Sequence, residues 1–390
     1  MFNVLKTNLK HFFVTFILVF SLIVAIGIYH GAEAHFNENR LAYTLDKEGP
    51  HIFIDEQTLT VNYVRGSKES GGFYRDSQQY SVNEDIKAMA YFPLEQQEIP
   101  ITINPRIEVP PSTYQDNKPM LAISDIEGGY KAFRDFLLAH NVIDSALTWQ
   151  FGQGHLVLVG DFVDRGNSVT QVLWLIYKLE QEAKKQGGHV HYILGNHEIK
   201  NLQANFYSAS QKYLYIAAML GKTQAELYDD NSFIGQWLAS KNSVEKINGY
   251  LFVHGGIHPK LSEFDYSLEK INQIVRAHYR KPFFTRLHAT DDDFLVSNKT
   301  GPSWYRGYFK DDLTQQEVQQ GLDKFSAKAV IVGHTIQWQV QELYQGKVVA
   351  IDVRHPSDYE THFPPRSSEG LLIKDSLFYR LLADGSKKQL

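Results

Sequence analysis

Gly160-Asp161-Phe162-Val163-Asp164-Arg165-Gly166 puts two carboxylates and a guanidinium directly behind an apolar run, where they serve no packing purpose. The same punctuation recurs along the chain. Leu121-Ala122-Ile123-Ser124 meets Asp125 and Glu127, and Tyr192-Ile193-Leu194-Gly195 meets Asn196, His197 and Glu198. Tyr250-Leu251-Phe252-Val253 meets His254, and Val330-Ile331-Val332-Gly333 meets His334. Taken singly, Asp-x-Glu-Gly is a common turn after a strand, and a histidine at a turn is usually satisfied locally. All of them in one order, each after an apolar run, point to chemistry. Hard oxygen ligands mixed with imidazoles suit first-row divalent ions such as manganese, iron or zinc. Two such ions roughly 3.5–4 Å apart are the usual arrangement for hydrolysing phosphate esters, because they acidify a shared water and neutralise the phosphoryl oxygens. Arginines clamp the remaining oxygens bidentately. Arg165 and Arg306, the latter in Gly301-Pro302-Ser303-Trp304-Tyr305-Arg306, are the candidates.

Convergence of these side chains requires strands that end at a common edge. From Met120 onward, short apolar runs (MLAIS, HLVLVG, HVHYILG, GYLFVHG, AVIVGH, KVVAID) alternate with amphipathic stretches such as YKAFRDFLLAHNV and SVTQVLWLIYKLEQEAKK. That alternation predicts an α/β layered fold, and the apolar strands predict sheets covered on both faces. In open α/β sheets, ligands bind beyond the carboxyl ends of the strands. Insertions over residues 199–246, which is helical, and 261–299 read as cap elements over that end. Thr290-Asp291-Asp292-Asp293-Phe294 reads as a solvated helix start, and His189 and His191 as structural. His258, His355 and Tyr305 are candidates to support or line the site.

The chain has 390 residues, 43% of them hydrophobic, which suffices for one large domain or two smaller ones. A net charge of -5 gives no basic field for nucleic acid. The absence of cysteine excludes disulfides, thiolate zinc sites and cysteine nucleophiles. Phe12 to Tyr29 is uncharged and long enough to span a bilayer, with Lys6 and Lys10 before it. Residues 1–34 therefore read as a transmembrane anchor, or as a signal peptide cut after Ala32-Glu33-Ala34. The basic flank predicts a membrane-anchored chain with its remainder on the extracytoplasmic side, or a secreted one if the signal is cleaved. Residues 35–116 read as a β-rich segment: HIFIDEQTLTVNYV as a pair of strands, GSKESGG as a mobile loop and EIPITINPRIEV as a further strand. The catalytic domain covers residues 117–390.

The order SDIEGG, GDFVDRG, GNHE, HGG, GHT resembles the calcineurin-like metallophosphoesterase superfamily, in particular its phosphoprotein phosphatase branch. GPSWYRGY before VGHTIQ is similar to the Shewanella-like phosphatases of that branch. The resemblance implies a two-sheet β-sandwich flanked by helices. It also implies two metal ions, one held by Asp125, Glu127 and Asp161, the other by Asp161, Asn196, His254 and His334. His197 matches the proton donor to the leaving alcohol, Asp164 the group that orients it, and Arg165 and Arg306 the phosphate clamps. The implied reaction is direct hydrolysis of a phosphomonoester, most simply phosphoserine or phosphothreonine in a protein, by a water shared between the ions. A phosphatase of small molecules, or a dinucleoside polyphosphate hydrolase, is the alternative within the superfamily.

One position departs from the pattern, which has a histidine where this chain has Glu127. A glutamate oxygen is as many bonds from Cα as the distal imidazole nitrogen, so Glu127 reaches the same ion. It adds negative charge, which favours manganese or magnesium over zinc, with iron also open. If Glu127 instead spoils the first site, the chain is a metal-binding interaction module.

Overall fold

The apolar runs are strands, and they are buried on both faces because they alternate between two packing layers. In His155–Val159, Val157 and Val159 turn towards Phe252, Ile331 and Val349, whereas Leu156 and Leu158 belong to the layer of Phe133 and Trp174. The computed structural model describes residues 2–30, 40–310 and 313–390.

Two six-stranded sheets carry this core. One runs Gln341–Leu343, Val348–Ala350, Ala329–Val332, Tyr250–Val253, Val244–Ile247, Thr113–Tyr114. The other runs Lys387–Gln389, Leu377–Leu382, Glu369–Lys374, Met120–Ile123, His155–Val159, His189–Ile193. Within the second, the three strands that precede the candidate residues are parallel, with Ile123 beside Leu158 and Val159 beside Ile193. Within the first, Tyr250–Val253, Ala329–Val332 and Val348–Ala350 are also parallel. Parallel neighbours release their chains at the same end, which is what gathers the polar residues. Helices Tyr130–Ala139 and Val169–Lys185 cross between strands and bury Phe133, Phe136, Val172 and Trp174. At ~1.5–3 kcal/mol per buried side chain, these faces hold the layers together.

Residues 41–390 form one compact unit. Strands Glu48–Asp55, Thr58–Ser67 and Gly72–Ser81 make an antiparallel meander, and Ile86–Phe92 pairs with Gln97–Ile103. Their Ile52, Leu59, Val64, Ile86 and Ile101 share a core with Trp174. Glu48 anchors this segment. Its buried carboxylate accepts from Lys212 Nζ at 2.8 Å and from Gln171 and Thr170. The expected mobile loop is a short turn between Ser67 and Gly72. The strand Gly72–Ser81 escapes the sequence reading because it is polar and largely exposed, so no apolar alternation marks it.

The helical cap consists of Asn196–Leu202, Gln211–Met219 and Phe233–Ala239. It ends sooner than residue 246, because Val244–Ile247 pairs with Tyr250–Val253 and belongs to a sheet. Thr290 N-caps Asp291–Val296 in a capping box with Asp293, so the acidic triplet is a helix start. His191 lies 2.7 Å from Glu245 and 2.8 Å from His155, which in turn reaches Asp116 at 3.0 Å. This polar chain ties the two sheets together below the strands' starting ends, a structural role for His191.

Residues 1–40 form the other compact unit, with a helix at Phe2–Tyr29. Among the described residues it is the one helix long and apolar enough to cross a membrane, over Lys6–Tyr29. Phe12, Phe16 and Phe20 are all more than half exposed on it. The cleavage motif Ala32-Glu33-Ala34, and with it the boundary at residues 34–35, lies outside the described residues.

Candidate active site

Asp125, Glu127, Asp161, Asp164, Arg165 and His334 all have positive φ, between 51° and 69°. For non-glycine residues this backbone is strained, and such strain concentrates at functional sites. It is held by bonds between the strand ends: Asp125 N donates to Gly160 O, Glu127 N to Asp161 O, and Gly333 N to His254 O. Gly160 has to be glycine, since a Cβ there would lie 2.5 Å from His254 Nδ1 and 2.7 Å from Gly195 Cα.

Asp161, His254 and His334 are buried, and their ligating atoms lie within 4.8 Å of one another. Both imidazoles are oriented from behind. His254 Nδ1 donates to Val159 O across the sheets at 2.7 Å, which leaves Nε2 facing Asp161 Oδ2 at 3.1 Å. His334 Nε2 donates to Trp304 O at 3.1 Å, which leaves Nδ1 facing inward. Such outer partners fix the tautomer of metal-binding histidines. The amide oxygen of Asn196 points at the same place, 3.2 Å from Asp161 Oδ2, 3.1 Å from His254 Nε2 and 2.9 Å from His334 Nδ1. An oxygen facing three acceptor atoms is what a shared cation resolves. Turning the amide over would satisfy the same atoms with N–H donors and bring its oxygen to Lys200 Nζ at 3.2 Å, so both orientations keep a polar atom of Asn196 at this point. The donor set of one carboxylate, one amide oxygen and two imidazoles fits a divalent transition metal.

Among the described residues Asp125 and Glu127 are not part of that ligand cluster; they stand beside it with Asp352, near enough for their charges to act on one another. Asp125 is buried and accepts from His334 N at 3.1 Å. Burial, reinforced by the charge of Asp352, pushes its carboxyl well above the usual range. Burial and then Glu127 do the same to Asp352, which is 2% exposed. Glu127 is pushed up to about 7 by burial, against the pull of Arg165. Burial makes charge on these carboxyls costly unless a cation pairs it. Asp352 was not singled out from sequence, although Val348-Val349-Ala350-Ile351-Asp352 carries the same signal of an acid straight after an apolar run. Glu127 itself turns to Arg165, Oε1 to Nη1 at 2.6 Å. A glutamate here thus engages the phosphate-clamp candidate, which a neutral imidazole would not. Glu127→His is expected to shift the metal preference towards zinc, read as calorimetric affinity for each ion. An unchanged profile would assign Glu127 to Arg165 alone.

His197 is set up on the other flank. Its Nδ1 donates to Asp164 Oδ2 at 2.7 Å, and Asn201 holds Asp164 Oδ1 at the same distance. Burial opposes charge on the ring, but Asp164 and Asp161 raise its pKa above the ordinary value. Nε2 faces the site, 3.8 Å from Asp161 Oδ2. Arg306 donates to His334 O at 2.6 Å and to Thr335 Oγ1 at 3.0 Å, so it reaches the site braced by the turn after Val332.

Glu198 follows His197 in the same motif, and its role comes from tertiary contacts. It is fully buried and accepts from the backbone N–H groups of Asp161, Phe162, Val163 and Gly195 and from Tyr192 Oη. It welds the loop after Val159 to the helix that carries Asn196 and His197. His355 supports the site at one remove, with Nε2 2.9 Å from Ser124 O. His258 instead caps the turn Pro259–Glu263 and packs on Phe294 and Tyr305.

The arrangement can hold divalent cations on its floor, bind a phosphoryl group between two arginines and protonate a departing oxygen from His197. The family model for calcineurin-like phosphoesterases matches residues 118–337. The chain is 26% identical to Shewanella-like protein phosphatase 2 of Arabidopsis thaliana over 298 residues, 63% of this chain and 73% of the relative. It is 28% identical to Shewanella-like protein phosphatase 1 of Plasmodium berghei over 233 residues, 57% of this chain and 62% of that one. Among solved structures it is similar to the cold-active protein-tyrosine phosphatase of a psychrophilic Shewanella species. The two are 31% identical with a TM-score of 0.73, over 88% of this chain and 99% of that one. The family pattern spans every strand end from Asp125 to His334, and the chain belongs to the calcineurin-like phosphoesterases, hydrolases of phosphoric esters, with Shewanella-like phosphatases among its relatives.

Proposed function

We propose that the chain removes phosphate from phosphorylated side chains of proteins, using two divalent cations of which manganese is the preferred one. The observation that carries this reading is the buried cluster of Asp161, His254 and His334, whose ligating atoms lie within 4.8 Å of one another. Asp161, Asn196, His254 and His334 would hold one cation; Asp125, Glu127 and Asp161, with Asp352 nearby, would hold the other. When bound, the cations acidify a water and offset charge on the phosphoryl oxygens.

The remaining work falls to the chain's own residues. Arg165 and Arg306 bind and orient the phosphoryl oxygens, so that the scissile bond lies in line with the attacking oxygen. Arg165 exchanges its bond to Glu127 for one to phosphate as substrate enters. His197 Nε2 gives its proton to the leaving oxygen, and Asp164 keeps the ring in the protonated, correctly turned state. No covalent phosphoenzyme is required.

Phosphoserine and phosphothreonine are the substrates that the phosphoprotein phosphatase motifs favour. The solved Shewanella relative is described as a protein-tyrosine phosphatase, which supports phosphotyrosine as a further substrate. The test is turnover by the full chain in detergent with manganese, on p-nitrophenyl phosphate, phosphoserine and phosphotyrosine peptides, and diadenosine tetraphosphate. Turnover of the monoesters, with little on the tetraphosphate, is the expected result. A folded protein inert towards all of them with every divalent ion would leave a binding module instead.

A further inference from the structure

The cleft above the metal-binding floor carries more positive charge than a single phosphate uses. Its volume is about 630 Å³, and Arg165, Lys200, Lys299, Arg306 and Lys310 line it with no carboxylate among the lining residues. The chain as a whole is net negative, at -5, so this concentration is local. The two arginines are spoken for, Arg165 by Glu127 and the phosphoryl group, Arg306 by the His334 turn and the same group. The three lysines have no carboxylate partner among the described residues, although Lys200 Nζ lies 3.2 Å from the Asn196 amide. Lys200 Nζ sits 5.5 Å from the Trp304 ring centroid, a cation–π contact that holds it at the cleft wall without neutralising it. Lys299 and Lys310 are exposed, and among the described residues neither lies within ion-pair distance of a carboxylate.

Cations gathered in a cleft with low-dielectric walls focus their field on whatever enters. A phosphate dianion seated on the floor meets the cations and arginines there. A second anionic group on the same substrate meets the lysines. We propose that Lys200, Lys299 and Lys310 form an anion subsite that reads a second acidic group beside the scissile phosphate, so that the preferred substrate is an acidic phosphopeptide. The second group is a carboxylate side chain or another phosphate, since both present anionic oxygens to ammonium donors. This rests on the phosphatase reading above and adds the sequence context of the substrate.

The test pairs three phosphopeptides of equal length: neutral flanks, flanking Asp and Glu, and a second phosphoserine. Each is measured with the full chain in detergent and with the Lys299→Gln/Lys310→Gln double variant, whose melting temperature is checked against the parent. Exposed ion pairs are individually weak, so kcat/KM should favour the acidic peptides by roughly five- to tenfold. That preference should shrink as salt is raised, and the double variant should bring the ratio close to one. The two acidic peptides separate the carboxylate from the phosphate source. Equal kcat/KM for all three in the parent, or a preference that the double substitution leaves intact, overturns the subsite. Peptide affinity measured by fluorescence anisotropy on the Asp161→Asn protein reads the subsite without turnover. If the enzyme reading fails, that preference and its loss in the lysine variant still decide this one.

Discussion

Asp161→Asn is expected to abolish turnover, by about three orders of magnitude or more, while the protein stays folded. A thousandfold loss corresponds to about 4 kcal/mol of transition-state stabilisation. The size follows from how much depends on one carboxylate. Asp161 Oδ2 faces His254 Nε2 at 3.1 Å, and Asp161 belongs to the three-residue metal-binding cluster. Under the proposed assignment it serves both cations, so an amide removes the one negative charge that both would share. The fold tolerates the change because asparagine keeps an oxygen to accept from His197 N, now 2.9 Å from Oδ1. Calorimetric titration with manganese, a thermal melt and p-nitrophenyl phosphate turnover check the three parts separately. An active Asp161→Asn protein would mean that the bridging position is assigned to the wrong residue.

Glu198→Gln should cost both stability and activity, although Glu198 is proposed to touch neither substrate nor metal. Its Oε2 accepts from Asp161 N at 3.0 Å and Gly195 N at 2.8 Å; its Oε1 accepts from Phe162 N, Val163 N and Tyr192 Oη. A carboxylate is acceptor-only, and every partner here is a donor. Glutamine must turn an NH₂ towards one of these sets, leaving donors facing donors in a buried site. Breaking a buried charged network costs roughly 3–5 kcal/mol, a large share of the ~5–15 kcal/mol that holds a typical domain. The melting temperature should fall by roughly 10 °C. Turnover should collapse with it, because the loops carrying Asp161 and Asn196 lose their common anchor. A variant that melts and turns over like the parent would show that these loops are held by their other contacts.

The linear pattern made most of the site readable. An apolar run that ends in an acid, an amide or an imidazole is a local signal, and it placed Asp125, Asp161, Asn196, His254 and His334 at strand ends without coordinates. Asp352 obeys the same rule, but no familiar motif surrounds it. Glu198 has only the signal of a helix-start glutamate three residues after Gly195, which says nothing about the donors arriving from Asp161, Phe162, Val163 and Tyr192. The polar strand Gly72–Ser81 went unread because a strand exposed on its faces has no apolar alternation to show.

The amino-acid sequence by itself determined which residues stand where strands stop, the α/β layering and the apolar span near the start of the chain, because each depends on neighbours a few positions away. Only the tertiary structure decided that Glu127 bonds Arg165, that His254 is aimed by a carbonyl of the opposite sheet, and that Asp352 joins the acids around Asp125. It also decided that three lysines from separate segments line one cleft. Those facts depend on how two sheets pack and where the cap folds over them, and contacts between residues far apart in the chain leave no periodicity to read.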